Sequence, residues 1–253
     1  MKLRLISAFA LVLPVLVFSG CNDDEDPTQP AQTGTVTLQL SHMAGTEPLQ
    51  LNSTDYYTSP AGQQYRVSDF KYYLSNLKFQ GQNLQLFSEP ESYHFVNQTD
   101  PGSLKIAISQ MQPGTYDTLL FAIGVDNNRN HTGAQIGALD PANGMSWGWT
   151  TGYKFLQLEG FSPLAPAPNT LLYHIGLDQN YRLVRIGLSP ALVVTANSRH
   201  TINLKADVNR IFGTAENPVS FATMHNVMFD PDKSAQIANN YAKMFSFQSL
   251  TTD

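Results

Sequence analysis

Hydrophobic and polar residues alternate along most of this chain with the period of strands rather than helices. Val36, Leu38, Leu40 and His42 share one parity and Thr35, Thr37, Gln39 and Ser41 the other, which predicts a half-buried strand ending in a histidine. The cleanest alternation sets His200, Ile202, Leu204, Ala206 and Val208 against Thr201, Asn203, Lys205 and Asp207. Tyr153, Phe155 and Gln157 likewise oppose Lys154, Leu156 and Leu158. Shorter strand-like runs occupy 93–96, 104–108, 114–124, 170–176 and 184–188. The aromatic-rich run Val67 to Phe79 reads as a strand pair or as a turn plus a strand, and Gly81 to Asn83 as a turn into Leu84–Phe87. Only Lys233 to Phe245 shows helical spacing, through Ile237, Tyr241 and Met244, with Pro231 near its start. Many short strands and one late helix predict a mainly β fold, a β-sandwich-like single domain with a C-terminal helix.

The first residues follow a different pattern. Lys2 and Arg4 precede an apolar run from Ile6 to Phe18, which has the length of a secretory leader and is too short to span a bilayer. The run ends in Phe18-Ser19-Gly20-Cys21, which resembles a bacterial lipoprotein signal, with Phe18 where a leucine is usual. The expectation is cleavage before Cys21 and acylation of its sulfur, giving an anchor to a membrane surface rather than a span. Residues 1–20 are then leader, 21–34 a polar Pro- and Gln-containing tether, and 35–253 the β domain.

Cys21 is the only cysteine, so the mature domain has no disulfide and no thiolate metal site. A formal charge of -5 and the lack of a basic cluster argue against a nucleic-acid partner. No nucleophile elbow, phosphate loop, His-Glu-x-x-His or EF-hand pattern is present, and no acid/base constellation marks an enzyme.

The chemistry-bearing residues are aromatic and imidazole. Trp147 and Trp149, the two tryptophans of the chain, flank a glycine and share a parity in an extended strand. They form a packing platform or are placed for chemistry. Of six histidines, His42 ends an apolar stripe, His174 sits between Tyr173 and Ile175, and His225 lies among Met224, Met228 and Phe229. In a domain without cysteine such residues are candidate ligands for copper or zinc, and the methionine thioethers suit Cu(I) or simply fill core gaps. Asp126-Asn-Asn-Arg-Asn130 offers oxygen ligands for calcium, or Asx residues that cap turns.

Several stretches together resemble the MbnP-like domain family. They are His42 with Pro48–Leu51, Tyr65–Leu77, Phe121–Asp126, the block Leu139–Gly160 with Met-Ser-Trp-Gly-Trp-Thr-Thr-Gly-Tyr-Lys-Phe at its centre, Tyr173–Gly176, and Asp230–Phe245. The likeness runs from about Thr35 to Phe247. It implies a bacterial envelope protein, periplasmic or surface-facing, that binds copper without being an enzyme, often encoded beside a di-haem peroxidase-like enzyme. It also implies that Trp147 or Trp149 is oxidised to kynurenine, whose aniline-type amine coordinates where an indole does not. His42, His174 and His225 form the expected ligand pool, two of them binding, although no histidine follows either tryptophan closely. The alternative is a surface sandwich that holds a protein or glycan on Trp147, Trp149 and Tyr153.

Overall fold

The computed structural model describes residues 32–82, 85–148 and 150–252. The leader, Cys21, the tether through residue 31, the turn residues Asn83 and Leu84, and Trp149 lie outside the described residues. In chain order the strands are β1 (Gly34–Ala44), β2 (Glu47–Pro48), β3 (Tyr57–Thr58), β4 (Gln64–Gly81), β5 (Leu86–Ser88), β6 (Tyr93–Asn97), β7 (Lys105–Met111), β8 (Gly114–Ile123), β9 (Ser146–Gly148), β10 (Gly152–Phe161), β11 (Thr170–Gly176), β12 (Arg182–Val194), β13 (Arg199–Asp207), β14 (Asn226–Val227) and β15 (Phe245–Thr252). Two short helices, α1 (Asn127–Asn130) and α2 (Pro231–Tyr241), complete the regular elements with four 3-10 turns among the described residues.

The described strands form two sheets. The smaller runs β15-β13-β1-β2, with β7 also on β1; the larger runs β12-β8-β4-β10-β11-β14, with β3, β5 and β6 on β4 and β9 on β10. β1 pairs in parallel with β13, bringing His42 opposite Ala206, and β11 pairs in parallel with β14. The two cleanest alternations of the sequence are thus direct neighbours, and both turn Val36, Leu38, Leu40, Ile202, Leu204 and Ala206 inward. Facing them across the sandwich are Phe70 and Tyr72 of β4, Phe121 of β8 and Leu156 and Leu158 of β10, all within 1% of complete burial. Each such aliphatic side chain contributes about 1.5–3 kcal/mol of burial free energy.

The larger sheet is also covered on part of its outer face. Tyr73, Val125, Leu139, Met145, Tyr153 and Phe155 form a second, smaller core there, beneath the segment that leads from β8 to β10. This explains why both parities of β10 are apolar at its start. Residues 67–79 lie within one long strand rather than a pair. The irregularity that suggests a turn is Asn76, at φ 55, where pairing with β8 shifts register. The helix differs from its expected span, starting at Pro231 behind an Asp230 cap and ending at Tyr241. Ile237 and Tyr241 are buried as its spacing predicts, but Phe245 opens β15, whose hydrogen bonds to β13 compete successfully with another helical turn.

Candidate functional site

The Trp147 segment takes its position from a short hairpin. β9 folds back on β10, with Gly148 opposite Gly152 and Ser146 opposite Tyr153, and Lys154 N–H donates to the Met145 carbonyl at 2.7 Å. β10 then pairs with β11, where a bulge between Lys154 and Leu156 brings Lys154 opposite Gly176. The result seats the half-buried Trp147 ring against Gly176. A Cβ at 176 would fall 2.5 Å from Trp147 Cζ3, and closer still to the Tyr153 carbonyl oxygen, so only glycine fits. Phe229, just after β14, lies on the same indole with ring centroids 4.8 Å apart. It is 54% exposed.

Gly176 and His174 share a parity on β11, so the space over Gly176 adjoins the His174 side chain on the outer face of the large sheet. The fold therefore brings the Trp147 ring onto the strand that carries His174, which no local spacing reveals. His174 Nε2 lies 2.8 Å from Glu159 Oε1. Burial holds its pKa below the ordinary imidazole value, with the Glu159 hydrogen bond opposing the shift and the Lys154 charge adding to it. Across the strands Gln157 is opposite both His174 and Lys71, and Glu159 is opposite Asp69 and Leu172. Gln157 Nε2 donates to Asp69 Oδ2 at 2.6 Å, its Oε1 accepts from Lys154 Nζ at 2.8 Å, and Lys71 pairs with Asp69 at 2.9 Å.

His225 immediately precedes β14, and its carbonyl accepts the Leu172 N–H at 2.7 Å. Its Nδ1 is buried and has no hydrogen-bond partner among the described residues. The parallel register pairs Leu172 with Asn226 and Tyr173 with Val227, so His225 precedes β14 and Met228 follows it.

His42 belongs to a different place, the interior between the two sheets. Gln98 Nε2 donates to the Leu49 carbonyl at 2.8 Å, which turns Gln98 Oε1 toward His42 Nδ1 at 2.6 Å. Nδ1 is therefore the protonated nitrogen, and Nε2 accepts the Tyr72 hydroxyl at 2.8 Å. Both nitrogens are occupied, Phe70 and Tyr72 meet the ring edge-on, and burial lowers its pKa to about 4 despite the Gln98 hydrogen bond. The three histidines of the expected pool do not share a site. Among the described residues no three His, Cys, Asp or Glu side chains converge to hold a metal.

Tyr153 is also unavailable as part of an exposed aromatic platform. It is 3% exposed, inside the second core, and its hydroxyl donates to the Leu139 carbonyl at 2.6 Å. In the Asp126–Asn130 run the side-chain oxygens of Asp126 and Asn130 are used internally. Asp126 caps α1 through Asn128 N–H and also accepts from Asn76 and Tyr93, each at 2.7 Å. Buried Asn130 accepts the Tyr153 N–H and donates to Asp178, again at 2.7 Å each. Asn130→Ala should cost about 1–3 kcal/mol by leaving that N–H unpaired. Chemical denaturation measures the loss, and a variant as stable as wild type would show the contact to be idle.

A model of the MbnP family matches residues 33–229. The chain belongs to the MbnP family. The match covers both sheets' principal strands and ends at Phe229, before α2 and β15. MbnP from Methylosinus trichosporium has a similar fold, with a TM-score of 0.52 and 13% identity over 87% of this chain and 99% of that one. No curated protein matches the sequence.

Proposed function

We propose that this is an envelope lipoprotein, anchored through Cys21, that binds copper as cargo for scavenging, storage or transfer. Membership of the MbnP family supports a copper-related role. The observation that carries the reading onto particular residues is the Trp147 ring against Gly176, two residues along β11 from His174, with His225 and Met228 flanking the adjoining β14. His174 Nδ1 and His225 Nδ1 make no hydrogen bond among the described residues, and the thioether residue Met228 directly follows β14. Two imidazoles and a thioether form a soft-to-borderline donor set appropriate to Cu(I). His42 does not fit this role, because ligation would break its bond to Tyr72 or Gln98.

Among the described residues no three histidine, cysteine or acidic side chains cluster. Oxidative opening of one tryptophan, Trp147 or Trp149, by a di-haem peroxidase-like partner, with two equivalents of hydrogen peroxide as oxidant and the indole C2 carbon leaving as formate, would convert an indole into kynurenine and so into an amine donor. The test is intact-mass spectrometry with metal analysis of mature protein from its own host. Stoichiometric copper and one oxidised tryptophan are expected. His174→Ala should weaken copper binding by more than about 100-fold, beyond the loss of a supporting contact. Native protein carrying neither copper nor oxidised tryptophan would overturn the reading.

A further inference from the structure

We propose that Glu159 is the positioning residue for His174, fixing which imidazole nitrogen is offered to a metal. The inference rests on the copper reading above and adds to it a residue that never touches the cargo. A carboxylate can only accept, so the 2.8 Å contact from Glu159 Oε1 assigns the proton of neutral His174 to Nε2. The lone pair then lies on Nδ1, which has no hydrogen-bond partner among the described residues. The neighbours that could compete for it are already engaged. Gln157, directly across from His174, has its amide nitrogen on Asp69 and its amide oxygen on Lys154. Lys154 divides its ammonium between that oxygen and the Gly144 carbonyl at 3.0 Å. The row Lys71, Asp69, Gln157 and Lys154 therefore holds itself together and leaves Glu159 to His174 alone.

This is the wiring of metal-binding histidines in general, where the far ring N–H is donated to a carboxylate that orients the ring and raises its basicity. The side chain of His174 is 12% exposed and that of Glu159 36%, so the carboxylate is the member of the pair that can be replaced with least disturbance. His94 makes a 2.8 Å pair with Glu89 elsewhere on the protein and serves as an internal control.

The experiment compares the mature chain with Glu159→Gln and Glu159→Leu, first without metal. Nitrogen-15 spectra of the wild type should show a protected His174 Nε2–H proton, assigned by its loss in His174→Gln. Glu159→Gln should keep it, because an amide oxygen still accepts, and Glu159→Leu should lose it while the His94 signal stays. Chelator competition for Cu(I) should then show a loss of about 10–100-fold for Glu159→Leu and a smaller one for Glu159→Gln. Absence of the protected proton in the wild type overturns the inference. So does wild-type copper affinity in Glu159→Leu when His174→Ala has lost it. If His174→Ala binds copper as wild type does, the copper reading itself fails and Glu159 has no metal to serve.

Discussion

Replacing His42 with leucine should destabilise the protein by about 2–4 kcal/mol at neutral pH, because it strands two buried partners at once. The Tyr72 hydroxyl loses its acceptor, and the Gln98 amide, held by Leu49, loses its donor. The same substitution should change how stability depends on acidity. The His42 pKa falls from an ordinary 6.5 to about 4 in the folded state. Above about pH 6.5 the ring is neutral whether the chain is folded or not, and the full stability is present. As pH falls from 6.5 toward 4 the unfolded chain takes up a proton that the folded one refuses, so stability drops by about 3 kcal/mol in total and then levels off. Urea titrations at a series of pH values measure this directly. The difference between wild type and His42→Leu should shrink across that window, and a constant difference would refute the assignment of a buried neutral imidazole.

The second large effect is expected at Gly176. Any side chain there meets the Trp147 ring and the Tyr153 carbonyl. Gly176→Val should therefore expel the indole and strain the β10–β11 pair, at a cost of about 3 kcal/mol. In a Trp149→Phe background the emission of Trp147 should shift to that of a solvated indole, and under the proposed function copper affinity should fall with it. A variant with wild-type stability and emission would mean that the ring does not rest on β11.

Much of the framework is legible as pattern. The alternations of β1 and β13 predict their buried faces, with Asp207 at the end of β13 the exception, and Tyr153 and Phe155 lie opposite Leu156 and Leu158 as their parity requires. What the pattern cannot convey is that both faces of β10 are covered, because the second core is assembled from Val125, Leu139 and Met145, which lie in the connecting segment. Parity turns His42 inward correctly, but it carries no trace of Gln98 or Tyr72, so a satisfied core histidine and a ligand read alike. The reverse holds for Trp147 and His174. Each stands out on its own, yet it is a hairpin, a bulge and a bare glycine that bring the Trp147 ring onto β11, two residues along from His174. The end of α2 is hidden for a similar reason. Met244 and Phe245 keep the helical spacing, and only the long-range claim of β13 on β15 decides against it.

The parallel pairing of β1 with β13 governs the order in which this molecule can be made. β1 is synthesised near the beginning, yet the Ser41 hydroxyl reaches the Leu204 carbonyl across 163 positions of chain. Until β13 emerges, the middle strand of the small sheet has only β2 and β7 as neighbours and a large apolar surface with nothing to face. Closing so long a loop is slow and delays the cooperative gain until late. A polypeptide that stays unstructured until its final third has arrived can be threaded through a translocation channel without first being unravelled. The same delay leaves its strands open to association in the meantime.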